Sequence, residues 1–335
     1  LLSGASGFLG SHALRHLLAN TGWRIVCPVS FSHRGVPERI TLAVPDDQWH
    51  RVTVVRADLA CPVTDTTATA IGDIDMVVNY ASQSHVDRSI IDPAPFVTNN
   101  VNLMVNLLEY ARQAKPKVFL HISTDEVYGP APDGYRHREW DPIIPSNPYS
   151  ASKACQEALA TSYWRTYRMP VVIVNSMNLI GETQDPEKYL PTVLRNLADG
   201  RKVPVHASAG RIGSRHYLHA RNLADAVLFL LRSGTVSAYA AGVSRPDRWH
   251  CAGPNEIDNL ELARMVADAA GLPLRYELVD SHAHRPGHDL RYALDSSKLA
   301  EAGWSAPVDF PDALERTVKW TLERPEWLRR QTLTN

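Results

Sequence analysis

The chain has 335 residues, 44% of them hydrophobic, enough to bury a large core as about two domains or one large unit with a second lobe. Lysine plus arginine number 35 against 36 for aspartate plus glutamate, so bulk charge points to neither nucleic acid nor an anionic membrane. No apolar run approaches the ~18 residues that span a bilayer, and the chain opens inside an apolar strand rather than with a cleavable leader, so a soluble cytoplasmic protein is expected.

Leu1-Leu2-Ser3 is a strand stub, and its shortness sets the expectation that native residues precede Leu1. Gly4, Gly7 and Gly10 follow at spacings of three, with Phe8 and Leu9 between them, directly before a helical pattern over 11–18. Glycines at a strand-to-helix turn let the backbone approach a pyrophosphate whose charge meets the helix N-terminus; the same order also suits an ordinary turn. A second β-like run covers 23–29, and there an NAD site would place an acid for the adenine ribose. The chain has Ser30, Ser32, His33 and Arg34 instead, so NAD is the expected cofactor and NADP is left open. The next run, 52–57, ends at Asp58 and Leu59, placed to meet an adenine edge, although Asp58 would equally cap its loop.

Further β-like runs cover 76–80, 118–122 and 171–174, with helical patterns at 99–114 and 149–165. The alternation reads as βαβ units around a parallel sheet, with ligands at the carboxyl ends of its strands. After 118–122 comes Ser123-Thr124-Asp125-Glu126. Two adjacent carboxylates at a strand end suit a site that needs an acid and a base together, and they also suit a solvated turn. Tyr149 and Lys153 stand four apart, on one face of a helix, where an ammonium would favour the phenolate and ready it to take a hydroxyl proton. Beyond residue 178 the pattern weakens to loops with helices near 190–197, 222–231, 259–270 and 311–322, read as a smaller lobe over the active edge, and 329–335 as a frayed tail. Cys27, Cys61, Cys155 and Cys251 are scattered, and the histidines form no ligand spacing, so no metal site is expected.

GASGFLG at 4–10, SHVDRSI at 84–90, STDEVYG at 123–129, PYSASK at 148–153, PEK at 186–188, NEIDNLE at 255–261 and RPGHDLRYALD at 285–295 together resemble the extended short-chain dehydrogenase/reductases, and among them the nucleotide-sugar 4,6-dehydratases of the dTDP-glucose type. The resemblance runs over nearly the whole chain. It implies an α/β fold, a Rossmann-like doubly wound parallel sheet over 1–177, with a smaller C-terminal substrate-binding lobe over 178–330, some of whose segments return to the first domain. It also implies a homodimer packed through the helices at 99–114 and 149–165.

The resemblance assigns Tyr149 as the base for the sugar O4 proton, with Lys153 holding its pKa down and Thr124 on the reacting oxygen. Glu126 removes the C5 hydrogen, protonated Asp125 donates to the departing C6 hydroxyl, and the hydride taken from C4 returns to C6. Cofactor contacts extend to Tyr80, Ala81, Ser82 and Asn99. Substrate contacts are Ser84, His85, Arg88, Asn178, Lys188, Val203, Arg215, Asn259, Arg285 and His288, with Arg215 and Arg285 on the diphosphate. The chain departs from the pattern at Leu179, Ile180 and Glu182, at His216 and at Asn222, where the family carries Asn-Tyr, Pro, Asp and Asp. A 4-epimerase or decarboxylase would use Tyr149 and Lys153 without needing Asp125 and Glu126; a non-catalytic nucleotide-sugar or dinucleotide sensor would be expected to lose part of the set Thr124, Tyr149 and Lys153, all of which are present.

Overall fold

The computed structural model describes residues 1–208, 210–233, 242–280 and 289–329. Strand β1 (Leu2–Ser3) leads through the glycine turn into α1 (Phe8–Asn20), followed by β2 (Ile25–Val29), α2 (Pro37–Ala43), β3 (Val52–Arg56), α3 (Asp65–Ile71) and β4 (Met76–Asn79). Next come α4 (Val86–Ile91), α5 (Pro93–Ala114), β5 (Val118–Thr124), α6 (Pro148–Tyr167) and β6 (Val171–Ser176). The short β7 (Leu179–Ile180) precedes α7 (Tyr189–Ala198), β8 (Val203–Ser208), β9 (Arg211–Ile212), β10 (Ser214–His216), β11 (Leu218–His219) and α8 (Ala220–Arg232). Strands β12 (Asp247–Cys251), β13 (Glu256–Asp258) and β14 (Tyr276–Asp280) close the chain with α9 (Asn259–Ala270) and a helix over Phe310–Leu322.

The main sheet runs β1-β4-β5-β6-β12, every pair parallel, with the parallel pair β2-β3 packed beside β1. Both faces of such a sheet are covered, which is why β5 and β6 are buried at every position and open on apolar residues, Val118 to Leu120 and Val171 to Val174. Side chains alternate across it. Val118, Leu120 and Ile122 join α1 and α8 on one face, while Phe119 meets Leu107, Leu108 and Trp164 of α5 and α6 on the other. A separate apolar cluster over 180–328 packs β8, α7, α9 and the helix Phe310–Leu322 through Val193, Val205, Leu262 and Val318.

Most of the expected runs are present with shifted ends. Helix α5 starts six residues earlier than the apolar pattern, because Pro93 supplies a first helical position that needs no N–H. The two- and three-residue strands β7, β9, β10, β11 and β13 carry no readable period, and β12, which returns to the main sheet, is itself a polar-rich Asp-Arg-Trp-His-Cys rather than an apolar run. The expected frayed tail lies, beyond Arg329, outside the described residues. Among the described residues no helix is long and apolar enough to cross a membrane.

Candidate active site

The crossover direction reverses between β1 and β4, and at that point a cleft of about 350 Å³ opens at the carboxyl ends of the strands. Its floor begins at the glycine turn. Gly4 has φ +74°, and a Cβ there would lie 2.8 Å from the Ala81 nitrogen, while a Cβ on Gly10 would lie 2.1 Å from the Gly4 carbonyl oxygen. Only glycine permits this close layering of β1, α1 and the end of β4. Gly7 caps α1 with no side-chain bond to the first-turn N–H groups, which suits a phosphate.

At the far end of the wall stand Ser30, Ser32, His33, Arg34, Asp58 and Leu59. The Ser30 and Ser32 hydroxyls share a 2.6 Å hydrogen bond, and no carboxylate follows β2. Asp58 also caps its own loop, accepting from the Ala60 N–H at 2.9 Å. Arg34 pairs with Glu187, which holds His85 as well, at 3.1 Å. Behind them the buried Arg39 donates to the Thr183 carbonyl and the Asp185 carboxylate, at 2.7 and 2.9 Å. The segment 183–187 is thereby strapped across the cleft. Tyr80, Ala81, Ser82, Asn99, Ser84, His85, Arg88, Asn178 and Lys188 all reach the same wall.

Thr124 ends β5, and a short 3-10 turn carries Asp125 and Glu126 into the cleft opposite the first turn of α6. The Thr124 hydroxyl donates to Asp125 Oδ1 at 2.9 Å; Asp125 Oδ2 is buried and finds no hydrogen-bond partner among the described residues. Burial, then the charge of Glu126, pushes the Asp125 carboxyl up to about 7, against the pull of Thr124 and Arg215. Asp125 is thus suited to hold a proton near neutrality. Asn147 donates through Nδ2 to Glu126 Oε2 at 3.1 Å.

Helix α6 brings Tyr149 and Lys153 to the cleft, as their spacing requires, but not as a phenol beside an ammonium. Lys153 Nζ points inward, donating to the Ile122 carbonyl at 2.8 Å and Gln156 Oε1 at 2.6 Å. Asn79 Oδ1 accepts from Ser3 and Ala81, so its Nδ2 faces His121 Nδ1; that leaves the His121 Nε2 proton toward Lys153 at 3.5 Å. Burial brings Lys153 down to about 7. Tyr149 is raised well above its ordinary value by burial and by the charges of Glu126 and Asp125. The expected depression of the phenol by Lys153 is therefore absent from this geometry, because two carboxylates face Tyr149 and the amine is turned to the strand.

Three other expectations change. Val203 is fully buried in β8, paired with Tyr276 inside the second apolar cluster, and does not line the cleft. Arg215 is set back from the wall: its guanidinium donates to the Leu290 and Asp289 carbonyls and lies 4.5 Å over the Tyr292 ring. Asn259 likewise stands behind the wall, where it accepts from the Tyr217 hydroxyl. Arg285 and His288 lie outside the described residues. Sequence reading missed Asn147, Glu187 and Tyr292. Asn147-Pro148 ahead of a helix, with Ser150 in the third position, is a capping signal that marks the first of these.

His12, Glu182 and His219 place their ligand atoms within 4.8 Å of one another, the donor set of a metal site. His219 Nδ1, however, accepts the Arg221 N–H as the cap of α8, leaving its Nε2 proton to donate to Glu182 Oε2 at 3.1 Å. Arg316 donates to the other oxygen at 2.9 Å. These groups form a charge-assisted hydrogen-bonded cluster joining α1, β7 and α8.

A glycine turn at the switch point of a parallel sheet, facing a Thr-Asp-Glu turn and a Tyr/Lys helix, defines a Rossmann-type enzyme site. The chain belongs to the NAD dependent epimerase/dehydratase family, whose model matches residues 1–242. It is 37% identical to a dTDP-glucose 4,6-dehydratase of Streptomyces antibioticus, over 98% of this chain and 93% of that one, and 32% identical to dTDP-glucose 4,6-dehydratase 1 of Escherichia coli K12, over 98% and 94%. Among solved structures it is similar to DesIV, a dTDP-glucose 4,6-dehydratase of Streptomyces venezuelae solved with NAD bound (TM-score 0.83, 31% identity, 97% of each chain). It is also similar to a Thermus thermophilus UDP-glucose 4-epimerase in complex with NAD (TM-score 0.82, 26% identity, 96% of this chain and 98% of that one).

Proposed function

We propose that the protein is a nucleotide-sugar 4,6-dehydratase acting on dTDP-glucose, and that NAD lies along the glycine turn. The observation that carries this is a protonatable Asp125 beside Glu126 in the cleft that Tyr149 also lines. An epimerase has no use for such a pair. The close layering at Gly4 and Gly10 and the uncapped first turn of α1 fit a dinucleotide pyrophosphate, held further by Ser30, Ser32, Asp58, Leu59, Tyr80, Ala81, Ser82 and Asn99.

A bound nicotinamide supplies the acceptor and later the donor of one hydride. Tyr149, with Thr124 on the same oxygen, would take the sugar O4 proton as C4 is oxidised, in the ionised form that the positive ring of a bound nicotinamide would favour against the nearby carboxylates. The resulting ketone acidifies C5, whose proton Glu126 removes. Asp125 gives its proton to the C6 hydroxyl, which leaves as water, and Glu126 returns a proton to C5 as C6 is reduced. Ser84, His85, Arg88, Asn178 and Lys188 hold the sugar and diphosphate in this reading, and the lobe over 178–330 is its substrate-binding part.

NADP is a second reading of the cofactor, favoured by the two serine hydroxyls and the lack of a carboxylate after β2. A cytoplasmic homodimer packed through α5 and α6 belongs to the same proposal.

The test is to incubate the protein with dTDP-glucose, UDP-glucose or GDP-mannose in deuterated water and follow the product by NMR. A 4-keto-6-deoxy sugar with solvent deuterium at C5 and the original C4 hydrogen at C6 is expected; an epimerised hexose that keeps its C6 hydroxyl refutes the proposal. Calorimetric titration of the same preparation with NAD⁺ and NADP⁺ decides the cofactor form, and light scattering should give twice 37.2 kDa.

A further inference from the structure

Two neighbouring carboxyl groups can serve as acid and base in either order. In this protein a third residue distinguishes them. Asn147 caps α6 with a closed box: its Oδ1 accepts the Ser150 N–H at 2.9 Å, and its own N–H donates to Ser150 Oγ at 3.1 Å. The box fixes the amide orientation, since only an oxygen can accept from Ser150. The amide NH₂ is therefore the group that meets Glu126 Oε2, at 3.1 Å, and a donor at that position favours the ionised carboxylate.

Asp125 is placed the other way. Its Oδ1 takes the Thr124 hydroxyl, its Oδ2 is buried without a partner among the described residues, and the adjacent Glu126 charge opposes its ionisation. The other groups facing Glu126 are the Tyr149 hydroxyl from α6 and the Tyr292 hydroxyl from the segment after β14, both of which its charge pushes up, while Arg215 of β10 acts on Asp125 and Tyr292. None of these is a donor locked by its own backbone.

We propose that Asn147 is a positioning residue that assigns the roles in the pair, its capped amide donating to the Glu126 carboxylate and so marking it as the proton acceptor, with Asp125 left as the proton donor. The inference rests on the dehydratase reading and names the residue that makes the site directional. It also ties the base to the helix that carries Tyr149, so that both proton acceptors are set by one helix end.

Asn147→Asp and Asn147→Ser test it, because both keep a side-chain oxygen for the Ser150 N–H and so retain the cap. Aspartate sets a third carboxylate against Glu126; serine is too short to reach it. Cofactor reduction in a single turnover and entry of solvent deuterium at C5 are followed as functions of pH. We expect the acid limb of C5 exchange to move up by about one pH unit in Asn147→Asp and less in Asn147→Ser, with exchange near neutrality falling about tenfold. Cofactor reduction should fall far less. In carbon-13 NMR without substrate, the Glu126 carboxyl should titrate at higher pH in Asn147→Asp than in the parent.

An unmoved acid limb and an unmoved carboxyl titration overturn the inference. So does an equal loss of reduction and exchange, which would make Asn147 only a helix cap. Glu126→Gln separates the two levels: if it still exchanges the C5 hydrogen, the base assignment itself is wrong, whereas an inactive Glu126→Gln with unshifted Asn147 variants refutes only the role of Asn147.

Discussion

Asp125 carries the sharpest consequence of the site at the scale of a single residue. Its folded pKa of about 7 lies above its ordinary 3.8, so the folded protein keeps the proton that the unfolded chain releases. Stability is unaffected below that lower value, declines as pH rises between the two, and stays reduced above about 7. Asp125→Asn, which cannot ionise, should therefore be more stable than the parent at alkaline pH by about 4 kcal/mol in urea unfolding, with the difference gone near pH ~4. The same substitution should slow water elimination by ~10²-fold or more, the usual worth of a general acid. The Asp125-Glu126 pair was legible in the sequence because adjacent carboxylates at a strand end need no tertiary information to be noticed. Asn147 was not, since its contact with Glu126 spans 21 residues and depends on where α6 begins relative to the end of β5. The inward turn of Lys153 was hidden for the same reason: helical spacing gives a shared face, while the Ile122 carbonyl and Gln156 decide where the amine points.

Among the elements, α6 does more than present Tyr149. One turn beyond Lys153 it carries Glu157, buried, which accepts from Arg248 of β12 at 2.6 Å and from Asn175 of β6 at 2.7 Å. Arg248 is itself 1% exposed, donates to the Tyr128 hydroxyl and lies 4.3 Å over the Trp140 ring. This ion pair fastens the helix that carries Tyr149 to the sheet beneath it. Arg248→Ala leaves the Glu157 charge buried and unpaired, and should cost about 3–5 kcal/mol by denaturant unfolding. Arg248→Met paired with Glu157→Met should recover most of that loss, since no charge is then stranded. The central strands β4, β5 and β6 were readable because burial on both faces fills them largely with apolar, β-branched residues. Strand β12 was not, for its Arg248 and His250 are polar residues buried by partners that the sequence does not place.

For the molecule as a whole, the decisive feature is how the segment 183–187 is fastened to the opposite side of the cleft. Arg39, 2% exposed, holds the Thr183 carbonyl, the Asp185 carboxylate and the Arg34 carbonyl together, and Glu187 pairs with Arg34 and His85. Arg39→Ala removes the buried knot and should weaken dinucleotide binding about tenfold in calorimetric titration, while lowering thermal stability. An unchanged affinity would mean that the strap does not control this end of the cleft.

The strap also bears on how long a cofactor stays. In the proposed reaction the hydride is returned within each cycle, so turnover never requires exchange of the dinucleotide with solution. A fastening that slowed its escape would then carry no kinetic penalty, and the dinucleotide would behave as a resident prosthetic group rather than a second substrate. An enzyme that consumed its reductant would have to open this fastening on every cycle.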